Sequence, residues 1–75
     1  MTTADMVRDL AVALARTEPD PDRAVNELDA CCGGRRVAAV RARQQLQSSI
    51  ETTPTDADLV RAVGFLDELL ARLPA

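Results

Sequence analysis

Histidine, lysine, tyrosine and tryptophan are all missing from the 75 residues, and Phe65 is the only aromatic side chain. Without imidazole the usual proton shuttle near neutral pH is gone, and with it the histidine-containing metal sites. Without lysine there is no Schiff-base nucleophile, and without tyrosine no phenolic acid. Carboxylates, hydroxyls, two thiols and nine arginines remain, and no two carboxylates are spaced to meet in a cleft. The expectation is a protein that is not an enzyme and holds no cofactor and no metal.

Long apolar runs are lacking too. Nothing approaches the ~18 residues of a membrane span, and the N-terminus lacks the charged, apolar, small-residue layout of a signal peptide. A cytoplasmic location and no membrane partner are expected. The only cysteines, Cys31 and Cys32, are neighbours; a disulfide between them needs a strained ring incompatible with helical backbone, so they read as reduced thiols.

What is present is aliphatic and helical. Thirteen alanines allow close helix packing, and the apolar residues recur at helical spacing, predicting an all-α fold: a single domain over residues 1–75 with helices at about 3–17, 21–32, 35–51 and 54–73. Short connections imply a compact four-helix domain built from two antiparallel helical hairpins.

The first helix is capped by Thr2 or Thr3, Thr2 and Asp5 having capping-box spacing. Its apolar face holds Met6, Val7, Leu10, Ala11 and Leu14, and Val12 points among the charges. Asp20 caps the second helix and Pro21 takes its first position. Ala24, Val25, Leu28, Cys31 and Cys32 form its stripe, which makes both thiols structural. Gly33 and Gly34 close it through positive φ.

The third helix has one stripe of Ala39, Ala42, Leu46 and Ile50, with Val37 and Val40 on a neighbouring face. So wide an apolar arc implies more than one partner element, while Arg36, Val40, Arg43 and Gln47 form a ridge expected to face solvent. For the fourth helix Thr53 is the expected cap, Pro54 stands in the first turn and Pro74 stops the helix. Its seam of Leu59, Ala62, Val63, Leu66, Leu69, Leu70 and Leu73 looks too broad for a domain this short to cover. Phe65 lies outside the seam beside Arg61, Glu68 and Arg72, as an exposed anchor would.

Local motifs have ordinary explanations. Glu18, Asp20 and Asp22 alternate as in calcium loops, but the loop glycine and the distant glutamate are absent, and acids at a helix start already suit the macrodipole. Gly33-Gly34-Arg35-Arg36 suggests an anion site, yet no strand precedes it and the phosphate-loop pattern is missing. Size, acidity and helix number resemble an acyl carrier protein, but the Asp-Ser-Leu motif is absent: Ser48 and Ser49 are the only serines.

Charge is the remaining signal. Residues 30–50 carry four arginines and no acid, while the other 54 residues carry five arginines and twelve acids, a sum of −7. The expected function is a helical protein–protein interaction module: an adaptor, an antitoxin-like inhibitor or an accessory subunit. Arg36, Val40, Arg43, Gln47, Arg61, Phe65 and Arg72 are its expected contacts, and its partner is another protein or a second copy in a homodimer. The alternative is a small helix-turn-helix DNA-binding regulator in which Arg36, Arg41 and Arg43 on the third helix meet phosphates or guanine edges. The net charge of −3 opposes it, and Arg41 diverges from the Arg36 and Arg43 ridge.

Overall fold

In the computed structural model, which describes residues 2–73, the chain folds into α1 (Thr3–Thr17), α2 (Pro21–Cys32), α3 (Arg36–Thr52) and α4 (Ala57–Arg72), with no strand among the described residues. None of these helices is long and apolar enough to cross a membrane.

Capping chemistry sets most of the boundaries. The Asp5 amide donates to Thr2 Oγ1 at 3.2 Å while the Thr2 amide donates to Asp5 Oδ2 at 3.2 Å, the reciprocal pair that the spacing predicts. The Thr2 amide, and then its hydroxyl, hold the Asp5 carboxyl below its ordinary pKa. Asp20 accepts from the Asp22 amide at 3.0 Å with Pro21 beside it in the first turn. Gly33 and Gly34 both adopt positive φ, 62° and 78°, and end α2.

The last two helices depart from the predicted bounds. α3 runs from Arg36 to Thr52, a shift of one residue at each end, and α4 begins at Ala57 instead of Pro54. The cap of α4 is Asp56, whose Oδ1 accepts from the amides of Asp58 at 3.0 Å and Leu59 at 3.4 Å. Thr53 closes α3 instead, and its carbonyl accepts the Asp56 amide at 3.2 Å across the Pro54-Thr55 turn. Aspartate is the stronger cap, and the residue before a proline is disfavoured in the helical region. Pro74 lies outside the described residues.

All four helices share one apolar cluster centred on Leu28, Leu46, Leu66, Leu69, Val7, Val25 and Cys32, the largest fully buried side chains. Between them Ala11, Ala24, Ala39, Ala42 and Ala62 are completely covered, so small residues bring the backbones close and leucines fill the gaps. α3 packs most extensively on α4 and also on α1, as its wide apolar arc predicts, while α2 rests on α1 and α4 and scarcely touches α3.

Four apolar residues are placed differently from their predicted faces. Met6 and Val37 are exposed, Val12 packs against the core and Phe65 is buried, at 5 % exposure. The cause is the width of the contact arc: α1 and α4 each touch all three other helices, so the covered arc extends past the central stripe to Val12 and Phe65. The α4 seam is likewise covered within the chain, with Ala62, Val63, Leu66 and Leu69 buried and Leu59, Leu70 and Leu73 half-buried against the core. The thiols differ in degree: Cys32 is buried and its Sγ donates to the Arg35 carbonyl oxygen at 3.0 Å, whereas Cys31 is half-buried beside the core.

Candidate binding surface

With an apolar core and no buried polar or charged residue among those described, chemistry is confined to the surface, where arginine is the only cationic side chain. Most of the arginines are engaged within the fold. Arg61 reaches from α4 to the end of α1, donating to the carbonyl oxygens of Ala15 at 2.9 Å and Glu18 at 2.7 Å, and its guanidinium lies 5.0 Å from the centroid of the Phe65 ring. Arg36, in the first turn of α3, donates to the Leu70 and Leu73 carbonyls at 3.0 and 3.4 Å and so supplies a cation to the end of α4. Arg43 pairs with Asp67, and Arg72 donates to Asn26 at 3.0 Å and Asp22 at 3.4 Å. Arg16 pairs with Asp58 at 3.2 Å and Arg23 with Glu18 at 3.4 Å. Arg8 meets Asp9 at 3.0 Å and Gln45 at 2.7 Å, its pKa raised chiefly by the Asp9 hydrogen bond.

The seven contacts expected from sequence therefore do not form one surface. Arg36 and Arg43 reach across to α4 while staying partly open to solvent, Val40 is half-buried, and Gln47 is exposed without a partner among the described residues, so the predicted ridge faces solvent but its arginines are engaged within the fold. Arg61, Phe65 and Arg72 lie on the side of α4 that meets α1 and α2, and the expected aromatic anchor is covered.

Two arginines are left over. Arg41 has no hydrogen-bond or ion-pair partner among the described residues, and Arg35 reaches only Thr3 Oγ1, at 3.5 Å. Val37, one turn before Arg41 and hence on the same helix face, is 64 % exposed, more than either other exposed large apolar residue. These three side chains, with Thr3, Ala4, Arg36 and Ala38, line an open groove of about 460 Å³ where the starts of α1 and α3 meet, and no acid among the described residues lines it. Ala4 and Ala38 are buried and give the groove an apolar floor.

Electrostatics in the groove are one-sided. α3 has no side-chain cap and no acid in its first turn, and the amides of Arg36 and Val37 find no acceptor among the described residues. Unsatisfied amides, the positive end of the helix and the guanidinium groups all favour an anion. A second hollow of about 490 Å³ between α2 and α4 contrasts with it: Asp22 and Glu68 line it together with Arg61, which is already satisfied. No cluster of acids and thiols among the described residues is arranged to hold a metal ion.

No family model matches this chain, and neither does any curated protein or solved structure. The groove therefore rests on its own geometry. Arg35, Val37 and Arg41 are not among the seven contacts expected from sequence: Arg35 stands out there only in the glycine turn, Val37 only at the side of an apolar arc and Arg41 only as a DNA contact, although the divergence of Arg41 from the Arg36 and Arg43 ridge already sets it on a separate face.

Proposed function

We propose that this chain is a non-enzymatic helical protein–protein interaction module whose docking face is the start of α3, centred on Val37 and Arg41. One observation carries the reading: within the acid-free middle of the chain, Arg36 and Arg43 are engaged by α4, while Arg41 stands without a partner among the described residues beside an exposed valine. A mixed cationic and aliphatic strip is the composition that interface centres favour, where arginine is enriched and lysine depleted. Such a module serves as an adaptor, an inhibitor or an accessory subunit, and its partner is another protein or a second copy of this chain. Two unpaired thiols suit a reducing compartment, and on that ground we assign it to the cytoplasm.

The seven residues expected from sequence are redistributed in this reading. Replacing Arg36 and Arg43 removes contacts to α4, so their loss is expected to weaken the fold first. The test is capture from native lysate with immobilised wild-type protein and with the Val37→Asp, Arg41→Glu double variant, read by quantitative mass spectrometry. Loss of a discrete set of captured proteins by about tenfold or more is expected, with helicity unchanged by circular dichroism. Equal recovery by both proteins would place the docking face elsewhere.

A further inference from the structure

The groove at the start of α3 is more selective than a generic interaction face, because its floor and rim have different chemistry. The floor is methyl groups of Ala4 and Ala38 with the Val37 side chain standing beside it, and the rim is Arg35, Arg36 and Arg41. Arg35 and Arg41 stand near a bare helix start whose first two amides have no acceptor among the described residues, while the Arg36 guanidinium is taken up by the Leu70 and Leu73 carbonyls.

We infer that this groove takes an acidic peptide segment of a partner protein, with an aliphatic side chain seated on Ala4, Val37 and Ala38 and flanking carboxylates against Arg35, Arg41 and the free amides. The inference rests on the interaction-module reading above and adds the chemistry of the partner. Charge complementarity selects the occupant: a lined surface with arginines and no acid repels a basic segment and attracts carboxylates, which guanidinium groups bind in bidentate fashion. The apolar residues separate it from a simple anion site, since a lone phosphate leaves the exposed Val37 uncovered. Duplex DNA is disfavoured by the remainder of the chain, whose −7 outside residues 30–50 opposes a polyanion at long range, whereas a short peptide senses mainly the groove within a Debye length.

The experiment is fluorescence anisotropy with labelled short peptides of alternating leucine and glutamate, of alternating leucine and lysine, and of glutamate alone, and with a labelled DNA duplex. Wild type is compared with Arg41→Glu and with Arg23→Glu, the second making the same charge change outside the groove. The leucine–glutamate peptide is expected to bind most tightly, to lose about tenfold in affinity with Arg41→Glu, and to change far less with Arg23→Glu. Equal binding of the leucine–lysine peptide, equal losses with both variants, or tighter binding of DNA would overturn the acidic-peptide assignment. Light scattering of the protein alone gives the remaining arm: a dimer that Arg41→Glu abolishes makes a second copy the occupant and also overturns it. If the lysate capture depends on Val37 and Arg41 while the acidic peptides fail to bind, the module stands and only the chemistry of its partner falls.

Discussion

Leu66→Ala is expected to leave a large share of the chain unfolded at physiological temperature. Leu66 is completely buried near the middle of α4, within the apolar cluster to which all four helices contribute. Removing a buried leucine side chain costs about 2–5 kcal/mol, the upper part of the range applying where neighbours cannot collapse into the cavity. Here the cluster is filled by alanines, valines, leucines and Cys32 from the three other helices. A single core of this size supplies only about 3–5 kcal/mol of net stability, so one substitution removes most of it. Thermal denaturation followed by far-ultraviolet circular dichroism should show loss of the cooperative transition or a fall in Tm of more than about 10 °C. Leu73→Ala, at a half-buried position beyond the end of α4, should shift the midpoint far less. A fall of only a few degrees for Leu66→Ala would contradict the shared-core arrangement.

Arg61→Met is expected to destabilise the protein by about 2 kcal/mol although the side chain is charged and only half-buried. Two charge-assisted hydrogen bonds join its guanidinium to the last carbonyls of α1, and the same group covers the Phe65 ring. Hydrogen bonds to charged groups contribute about 1.5–3 kcal/mol and a partly exposed cation over an aromatic ring about 0.5–1 kcal/mol, and water can replace part of both. Methionine keeps the apolar cover and loses the donors, so the change isolates the polar clamp. Arg61→Lys should recover less than half of the loss, because a single ammonium lacks the planar fork that serves two carbonyls at once. Urea denaturation with a common m-value checks both variants. A neutral Arg61→Met, or full recovery by lysine, would mean that the end of α1 is closed by its own packing and not by Arg61.

These two residues also mark where the sequence was legible and where it was not. The caps at Thr2, Asp20 and Gly33 are decided within four residues of backbone, and each forms as its spacing predicts. The central stripes, such as Val7, Ala11 and Leu14 on α1 and Ala62, Leu66 and Leu69 on α4, follow from the 3.6-residue period and are buried. At residues 53–56 two caps compete within one turn, and the outcome turned on the stronger acceptor, Asp56.

Phe65 shows a different limit. Periodicity fixes its angle around the α4 axis but not how far neighbouring helices wrap around that axis, and that wrapping buries it. Long-range pairing was out of reach altogether: Arg61 and Ala15 are 46 residues apart, Arg36 and Leu70 are 34 apart, and no local pattern encodes either contact. For the binding surface, the segregation of charge into an acid-free middle was readable from residues 30–50. Which of its arginines the fold would leave without partners was not, because that depends on where Asp67 and the end of α4 come to rest.

The most direct test of the docking face places a photo-crosslinking amino acid at position 37 and, in a second protein, at position 60. Val37 and Val60 are both valines on helices and both exposed, at 64 % and 53 %, so they differ chiefly in their surroundings: Val37 stands beside Arg41 at the groove and Val60 lies on α4 away from it. After irradiation in living cells, a discrete crosslinked species of defined mass is expected from position 37 and not from position 60, and it should disappear when Arg41→Glu is introduced. Crosslinking from position 60 alone, or the same products from both positions, would contradict a docking face at the start of α3.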